Sequence, residues 1–212
     1  MQNLFQTLWL ICQAPLLMKS KEIILLGGGG HCKSCIDVIE QQGEYRIVGI
    51  LDKAEKVGDK ILNTTIIGTD YDIASLKKKI KYFLVTIGQI RSAERRISLY
   101  NLLVWHQVKM PIIISPYAYV SPYSQIGYGS IVMHNVIINA DARVGENSII
   151  NSRALLEHDV IIGNHCHIST GAIINGGAEV MEGTFIGSGA VVVQEAKISA
   201  NSFIKANSIF IR

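Results

Sequence analysis

The sequence lacks three features that would place it in other classes of protein. Its four cysteines, Cys12, Cys32, Cys35 and Cys166, show no disulfide-framework spacing, which argues against a stapled secreted scaffold. Its net charge is only +3 and no basic stripe appears, so nothing suggests a partner such as nucleic acid. No apolar run is long enough to span a bilayer. The first seventeen residues are apolar, but they lack a basic n-region and are interrupted by Gln13 and Pro15, so they do not read as a signal peptide. Met18, followed by Lys19, Ser20 and Lys21, reads as a start position, with Met1 to Leu17 as an extension. With 212 residues, 49% of them hydrophobic, the chain can bury a sizeable core, and reduced thiols in the cytoplasm are the expectation.

What is present is a period. Every sixth residue from Ile114 to Ile204 is Ile, Val or Leu. Two residues before these, from Ala118 to Ser202, a second row holds only Ala, Ser, Thr, Val or Cys. Neither the helix period nor the strand period produces such a pattern. A six-residue unit with one large and one small inward residue makes one flat side of a prism, and three sides make a coil. Residues 111–212 are therefore expected to form a parallel β-helix. Gly127, Gly145, Gly163 and Gly187 directly follow the aliphatic row and read as tight corners that need φ > 0 or no Cβ. Cys166 falls on the small inward row and reads as a buried free thiol.

Before residue 110 the pattern is different. Glu22 to Leu26 is a short apolar strand, Gly27 to Gly30 a turn, and Ser34 to Gln42 carries helical spacing. Arg46 to Leu51 is a strand ending in Asp52, and Phe83 to Ile87 is another ending at Gly88. Asp72 to Lys81 and Ser92 to Trp105 read as helices. This alternation predicts a small Rossmann-like parallel α/β domain over residues 18–110, with ligands at the carboxyl ends of its strands. Pro111 to Pro116 marks the passage into the repeats. The glycine loop lets backbone N–H groups and a helix N-terminus approach an anion. Its ligand stays open between a nucleotide-sugar, NAD and a merely structural turn. Lys33 stands where a dinucleotide fingerprint has its third glycine, although Asp52 lies at a suitable distance for a ribose hydroxyl. Cys32 and Cys35 beside His31 have no second ligand pair, so no metal is expected there.

The chemistry should lie where the repeats carry residues that the fold does not need. Three of the six histidines, His158, His165 and His167, fall in the stretch Asn151 to Gly177, together with Glu157 and Asp159. Leu156 and Val160 are inward positions, so His158 and Asp159 lie near a corner on the outer surface. A histidine beside a carboxylate, titrating near neutrality, can take a proton from an attacking nucleophile.

The GGGGH loop at 27–31, the segment EHDVIIGNHCHISTGA at 157–172 and the unbroken hexapeptides together resemble the NeuD/PglD group of bacterial sugar acyltransferases. The resemblance implies a left-handed β-helix, a homotrimer and acetyl-CoA as co-substrate. It implies His158 as general base and Asp159 as the carboxylate that orients it. It puts His167 at the acetyl end of acetyl-CoA, Gly176 at the thioester and Ser188 along the pantetheine arm. Gly29, Gly30, His31, Asp52, Lys53 and Gly88 would hold a nucleotide-sugar. The expected reaction is direct acetyl transfer to the amine of a nucleotide-linked amino sugar in surface-glycan biosynthesis, with O-acetylation of a sialic-acid-like sugar as the alternative. Many members carry a Gly-x-Pro-Ala-Lys turn near the end, where this chain reads Lys205-Ala206-Asn207-Ser208. Other classes fit less well. A trimeric zinc carbonic anhydrase could draw on His134, His158, His165 and His167, but the five-residue histidine spacing is missing. A sugar nucleotidyltransferase needs a basic nucleotide loop that GGGGHCKS does not supply, and a non-catalytic scaffold would bind no acetyl-CoA.

Overall fold

The computed structural model describes residues 20–211. The extension Met1 to Leu17, the start position at Met18 and Cys12 lie outside those residues. The amino-terminal part is one sheet of β1 (Lys21–Leu26), β2 (Tyr45–Leu51), β3 (Lys60–Ile61), β4 (Thr64–Gly68) and β5 (Tyr82–Val85). The order is β3-β4-β2-β1-β5, parallel except for β3, which runs antiparallel to β4. Helix α1 (Gly30–Gln42) covers one face of this sheet, and α2 (Ile73–Leu76) and α3 (Glu94–Trp105) cover the other. The short hairpin of β3 and β4 has no counterpart in the sequence reading. The helix expected over 72–81 is largely absent. Only the four residues of α2 are α-helical, after a 3₁₀ turn at Asp70–Asp72. Lys77, Lys78 and Lys79 then put three like charges into one turn. There the Lys79 N–H bonds back only to Leu76 O, a tighter 3₁₀ step.

From Ile113 to Phe210 the chain winds a left-handed β-helix, with three parallel sheets of six, six and five strands. Face 1 runs from Ile113–Ile114 to Phe203–Ile204, face 2 from Tyr119–Val120 to Ile209–Phe210, and face 3 from Gln125–Ile126 to Lys197–Ile198. Each strand pairs with the one eighteen residues on, as in His167↔Phe185. The aliphatic row points inward, and Ile138, Ile150, Leu156, Ile168, Ile174 and Val192 are fully buried. Burying each such side chain is worth about 1.5–3 kcal/mol. The small row fills the space between them, with Ala142, Val160, Cys166 and Ala172 at zero exposure. Cys166 is the buried thiol expected, its pKa pushed up to about 12 by burial.

Of the two reasons expected for glycine at these corners, the structure selects the lack of a Cβ. Gly127, Gly145, Gly163 and Gly187 do not have positive φ. They are glycines because coils stack closely there: a Cβ on Gly163 would lie 2.6 Å from Glu182 N. The left-handed residue comes two positions later, at Asn135, Asp141, Asn147, Arg153, Asp159, His165 and equivalent corners.

The α/β domain sits on face 1. The outward residues of face 1 are covered from Ile113 to Phe185, with Ile113, Ile131 and Ile149 at 0% and His167 at 6% exposure, and only Phe203 on its last strand is open; Tyr119 and Ile137 on face 2 are 57% and 42% exposed. Polar contacts frame this interface. Tyr100 Oη donates to Glu146 Oε2 at 2.6 Å. The His134 ring lies 2.6 Å from Ser115 Oγ through Nδ1 and 2.9 Å from Asp37 Oδ2 through Nε2. Ser115, His134 and Asp37 thus share the residue types of a hydrolytic triad. Ser115 is only 2% exposed, and its hydroxyl accepts the Tyr117 N–H to close a Ser-Pro-Tyr turn, so the group acts as a clamp between domains.

Candidate active site

His158 and Asp159 stand on the corner between faces 2 and 3, immediately after strand Leu155–Leu156. Their side chains are 63% and 64% exposed, and His158 Nδ1 lies 2.8 Å from Asp159 Oδ2. A carboxylate only accepts, so Nδ1 carries the proton and Nε2 presents a lone pair to solvent. The hydrogen bond to Asp159 raises the His158 pKa above the ordinary imidazole value. Asp159 is held in place by its backbone, which is left-handed with φ 61°. On the next coil, Gly176 lies beneath the ring: a Cβ there would sit 2.7 Å from His158 Cε1 and 2.9 Å from Nε2. The Gly177 N–H donates to His158 O and ties the two coils together. The Gly176 N–H makes no backbone hydrogen bond among the described residues.

The second group of expected residues gathers at the carboxyl ends of β1, β2 and β5. Gly29 and Gly30 open α1, exposed, with no side-chain cap, no acidic residue in the first turn and open space where a Cβ would lie. Asp52 does not reach freely into solvent, because it holds the glycine loop. Gly28 N–H donates to its Oδ2 at 2.7 Å and Lys53 N–H to its Oδ1 at 2.8 Å. Burial alone would raise its pKa, but these bonds and the Lys56 ammonium outweigh burial and lower it. Gly88 is exposed and faces His31, whose Cβ would be 3.5 Å from a Cβ on Gly88. Beside this group a cleft of about 940 Å³ is bounded by Gly27, Asp52, Lys53, Thr69, Arg95 and Trp105.

His167 belongs with this second group. Its Nδ1 lies 2.5 Å from Gln89 O, which fixes the proton on Nδ1 and leaves Nε2 to accept from Asn151 Nδ2 at 3.2 Å. Its ring centroid is 6.2 Å from that of His31. Burial pushes His167 down to about 4 and His31 to about 3, so both rings are neutral at pH 7. His165 packs edge-on against Tyr100 and accepts from Asn147 Nδ2 at 2.9 Å, which makes it part of the domain contact. Ser188 is exposed at the corner between faces 1 and 2, with its Oγ 2.9 Å from Ser169 Oγ.

One chain therefore divides the expected site. In a triangular prism the corner between faces 2 and 3 lies opposite face 1. His158, Asp159 and Gly176 stand on that corner, while His167 and the glycine-loop group lie on face 1. His158 is not among the residues lining the 940 Å³ cleft. Sequence reasoning named both groups but missed the corner lattice that holds Asp159, and it missed the domain contacts of Gln89 and His134. The every-sixth row from Gly129 to Asn207, which is Asn, Asp or Gly everywhere except Arg153, His165 and Glu195, was a signal for the first.

Residues 22–101 match the PglD N-terminal domain family, and residues 141–176 match the bacterial transferase hexapeptide (six repeats) family. The structure is similar to that of a mutant perosamine N-acetyltransferase from Caulobacter crescentus in complex with CoA and GDP-perosamine. Identity is 30%, coverage is 94% of this chain and 91% of the other, and the TM-score is 0.84. The chain belongs to the NeuD/PglD family of sugar acetyltransferases. A further member is similar too, the acetyltransferase domain of PglB from Neisseria gonorrhoeae FA1090 in complex with acetyl coenzyme A. It is 27% identical over 91% of each chain, with a TM-score of 0.84. WeeI from Acinetobacter baumannii AYE, 20% identical over 90% of this chain and 96% of its own, shares the fold with a TM-score of 0.59. No curated protein matches the chain significantly. As a member of the NeuD/PglD family, it is an acetyltransferase that takes acetyl-CoA as co-substrate. Among the described residues no helix is long and apolar enough to cross a membrane, and no group of three or more His, Cys, Asp or Glu is arranged to hold a metal ion.

Proposed function

We propose that this protein transfers the acetyl group of acetyl-CoA to the amino group of a nucleotide-linked amino sugar in bacterial surface-glycan biosynthesis. The observation that carries this reading is the His158–Asp159 pair. Nδ1–H is spent on the carboxylate, and Nε2 is a free base on an exposed corner whose facing residue, Gly176, has no side chain. As the sugar nitrogen bonds to the thioester carbonyl carbon, His158 Nε2 takes the nitrogen's proton. Cleavage of the carbon–sulfur bond then releases the thiolate, to which the imidazolium returns a proton. Asp159 stabilises that imidazolium. The Gly176 N–H would donate to the carbonyl oxygen as charge develops on it. No covalent enzyme intermediate is required, and Cys166, buried with a raised pKa, is no nucleophile.

The division of the site supports a homotrimer. The corner bearing His158 of one copy would meet face 1 of the next, where His167 stands beside the glycine loop, Asp52, Lys53 and Gly88. The nucleotide-sugar would enter from the α/β domain, and the acetyl end of acetyl-CoA would lie between His158 of one copy and His167 of the other. Ser188 would lie along the pantetheine arm. The amine is the preferred acceptor atom because a similar structure holds GDP-perosamine, an amino sugar linked to a nucleotide.

The test is release of free thiol from acetyl-CoA with UDP-, GDP-, dTDP- and CMP-linked sugars, each with and without a free amine. Turnover confined to amine-bearing sugars is expected. A positioned base contributes about 10²–10⁴ in rate, so His158→Ala should lower kcat by that factor while acetyl-CoA still binds. Near-full turnover by His158→Ala at saturating substrates would overturn the assignment.

A further inference from the structure

Arg96, on the first turn of α3, is 1% exposed and has no carboxylate partner among the described residues. Burial lowers its pKa only to about 10, so it remains a cation. An uncompensated buried charge is costly, and an aliphatic residue of similar volume would fill the space more cheaply. Packing therefore does not account for it. The guanidinium binds three carbonyls from both domains. Nη1 donates to Val85 O at 2.9 Å and to Ile87 O at 2.8 Å, where β5 ends. Nε donates to Asn147 O at 3.0 Å, on a left-handed corner of the β-helix. Two residues after Ile87, Gln89 is gripped from the other side. Its carbonyl accepts His167 Nδ1–H at 2.5 Å, and its Nε2 donates to Gly183 O at 3.2 Å. Gly88, between these two anchors, is exposed and stands against His31.

We propose that Arg96 is a positioning residue for the acceptor. It locks the Ile87–Gly88–Gln89 turn to the β-helix and so sets Gly88 and His31 at a fixed place relative to His167. This rests on the reading of Gly88 and His31 as acceptor contacts. The fork of the guanidinium is what the role requires, since one ammonium cannot serve both the Nε and the Nη1 directions.

The test uses Arg96→Met and Arg96→Lys in the full chain. Met fills the volume without the charge. Its acetyl-CoA affinity should stay near wild type, while the acceptor KM rises about 10- to 100-fold, the scale of an ångström-level misplacement. Lys should fall between the two. An acceptor KM within twofold of wild type in a folded Met variant would overturn the proposal. So would parallel losses of acceptor affinity, acetyl-CoA affinity and melting temperature, which would make Arg96 structural only. If Met does not fold, the same comparison is made with Lys. If the wild-type chain acetylates no nucleotide-linked sugar, the functional reading fails separately. Amide exchange at Gly88 and Gln89 then decides: faster exchange in a folded variant with the β-helix unchanged supports the role, and unchanged exchange sinks it.

Discussion

The His158 imidazole occupies the space that a side chain on Gly176 would fill, 2.7 Å from where its Cβ would stand. The two residues are eighteen apart, one coil, so the absence of a side chain on one coil makes room for the base on the coil before it. Because the ring is the exposed end of a side chain, it can yield without unfolding the coil. Gly176→Ala should therefore leave the melting temperature within a few degrees of wild type. It should still lower kcat about 10- to 100-fold by tilting Nε2 away from its line of attack. Steady-state kinetics beside a thermal melt checks this. A loss of stability in proportion to activity would show that Gly176 serves the fold instead.

The pH profile tests the pair itself. Catalysis needs neutral His158, whose pKa is raised by the hydrogen bond to Asp159, so kcat/KM should fall as pH drops through that raised value. Asp159→Asn keeps a residue that tolerates the left-handed corner at φ 61°. It removes the negative charge, so the acid limb should move to lower pH while the plateau falls, by less than in His158→Ala. An acid limb that stays in place would mean that another group titrates there.

The glycine loop separates the two substrates. Gly30 is exposed at the start of α1, and no described residue lies within 4 Å of a Cβ placed on it, so Gly30→Val should fold normally. A branched side chain would nevertheless block a ligand from the N–H groups of the first turn. The acceptor KM should rise at least about tenfold, as when a buried set of hydrogen bonds is lost, with acetyl-CoA affinity nearly unchanged. Isothermal titration with each substrate alone distinguishes this from general damage.

The β-helix was legible because its period repeats over many coils, so every position is seen in several chemical contexts. The inward rows and the buried thiol of Cys166 followed directly. The place of His158 and Asp159 on an outer corner followed too, because both flank inward residues. What stayed hidden depends on contacts between distant segments. Nothing near Arg96 in sequence marks it as buried, since its partners Val85, Ile87 and Asn147 lie 9 to 51 residues away. The resemblance singled out His167 from its neighbour His165, but only the docking of the α/β domain sets its tautomer through Gln89 O. Asp52 stood at a spacing that suits a ribose hydroxyl, but the fold first engages it with Gly28 and Lys53.

The two kinds of glycine in the repeats make a stability prediction with a clear ordering. Gly163 sits where coils touch: a Cβ would lie 2.6 Å from Glu182 N, and the spacing there is fixed by Gly163 N–H to Val180 O at 2.7 Å. Neither backbone can retreat without breaking that ladder, so Gly163→Ala should cost about 3 kcal/mol or more. Gly171 has φ +67° and no described residue within 4 Å of its Cβ position. The cost of Gly171→Ala is the left-handed penalty alone, about 1–2 kcal/mol. Gly171→Asn should cost less still, because Asn already occupies the equivalent corners at 135, 147, 201 and 207. Urea unfolding midpoints of the three variants should therefore rank Asn above Ala at 171, and both above Ala at 163. If Gly163→Ala proved as stable as Gly171→Asn, close coil stacking would not be the reason for glycine beside the aliphatic row.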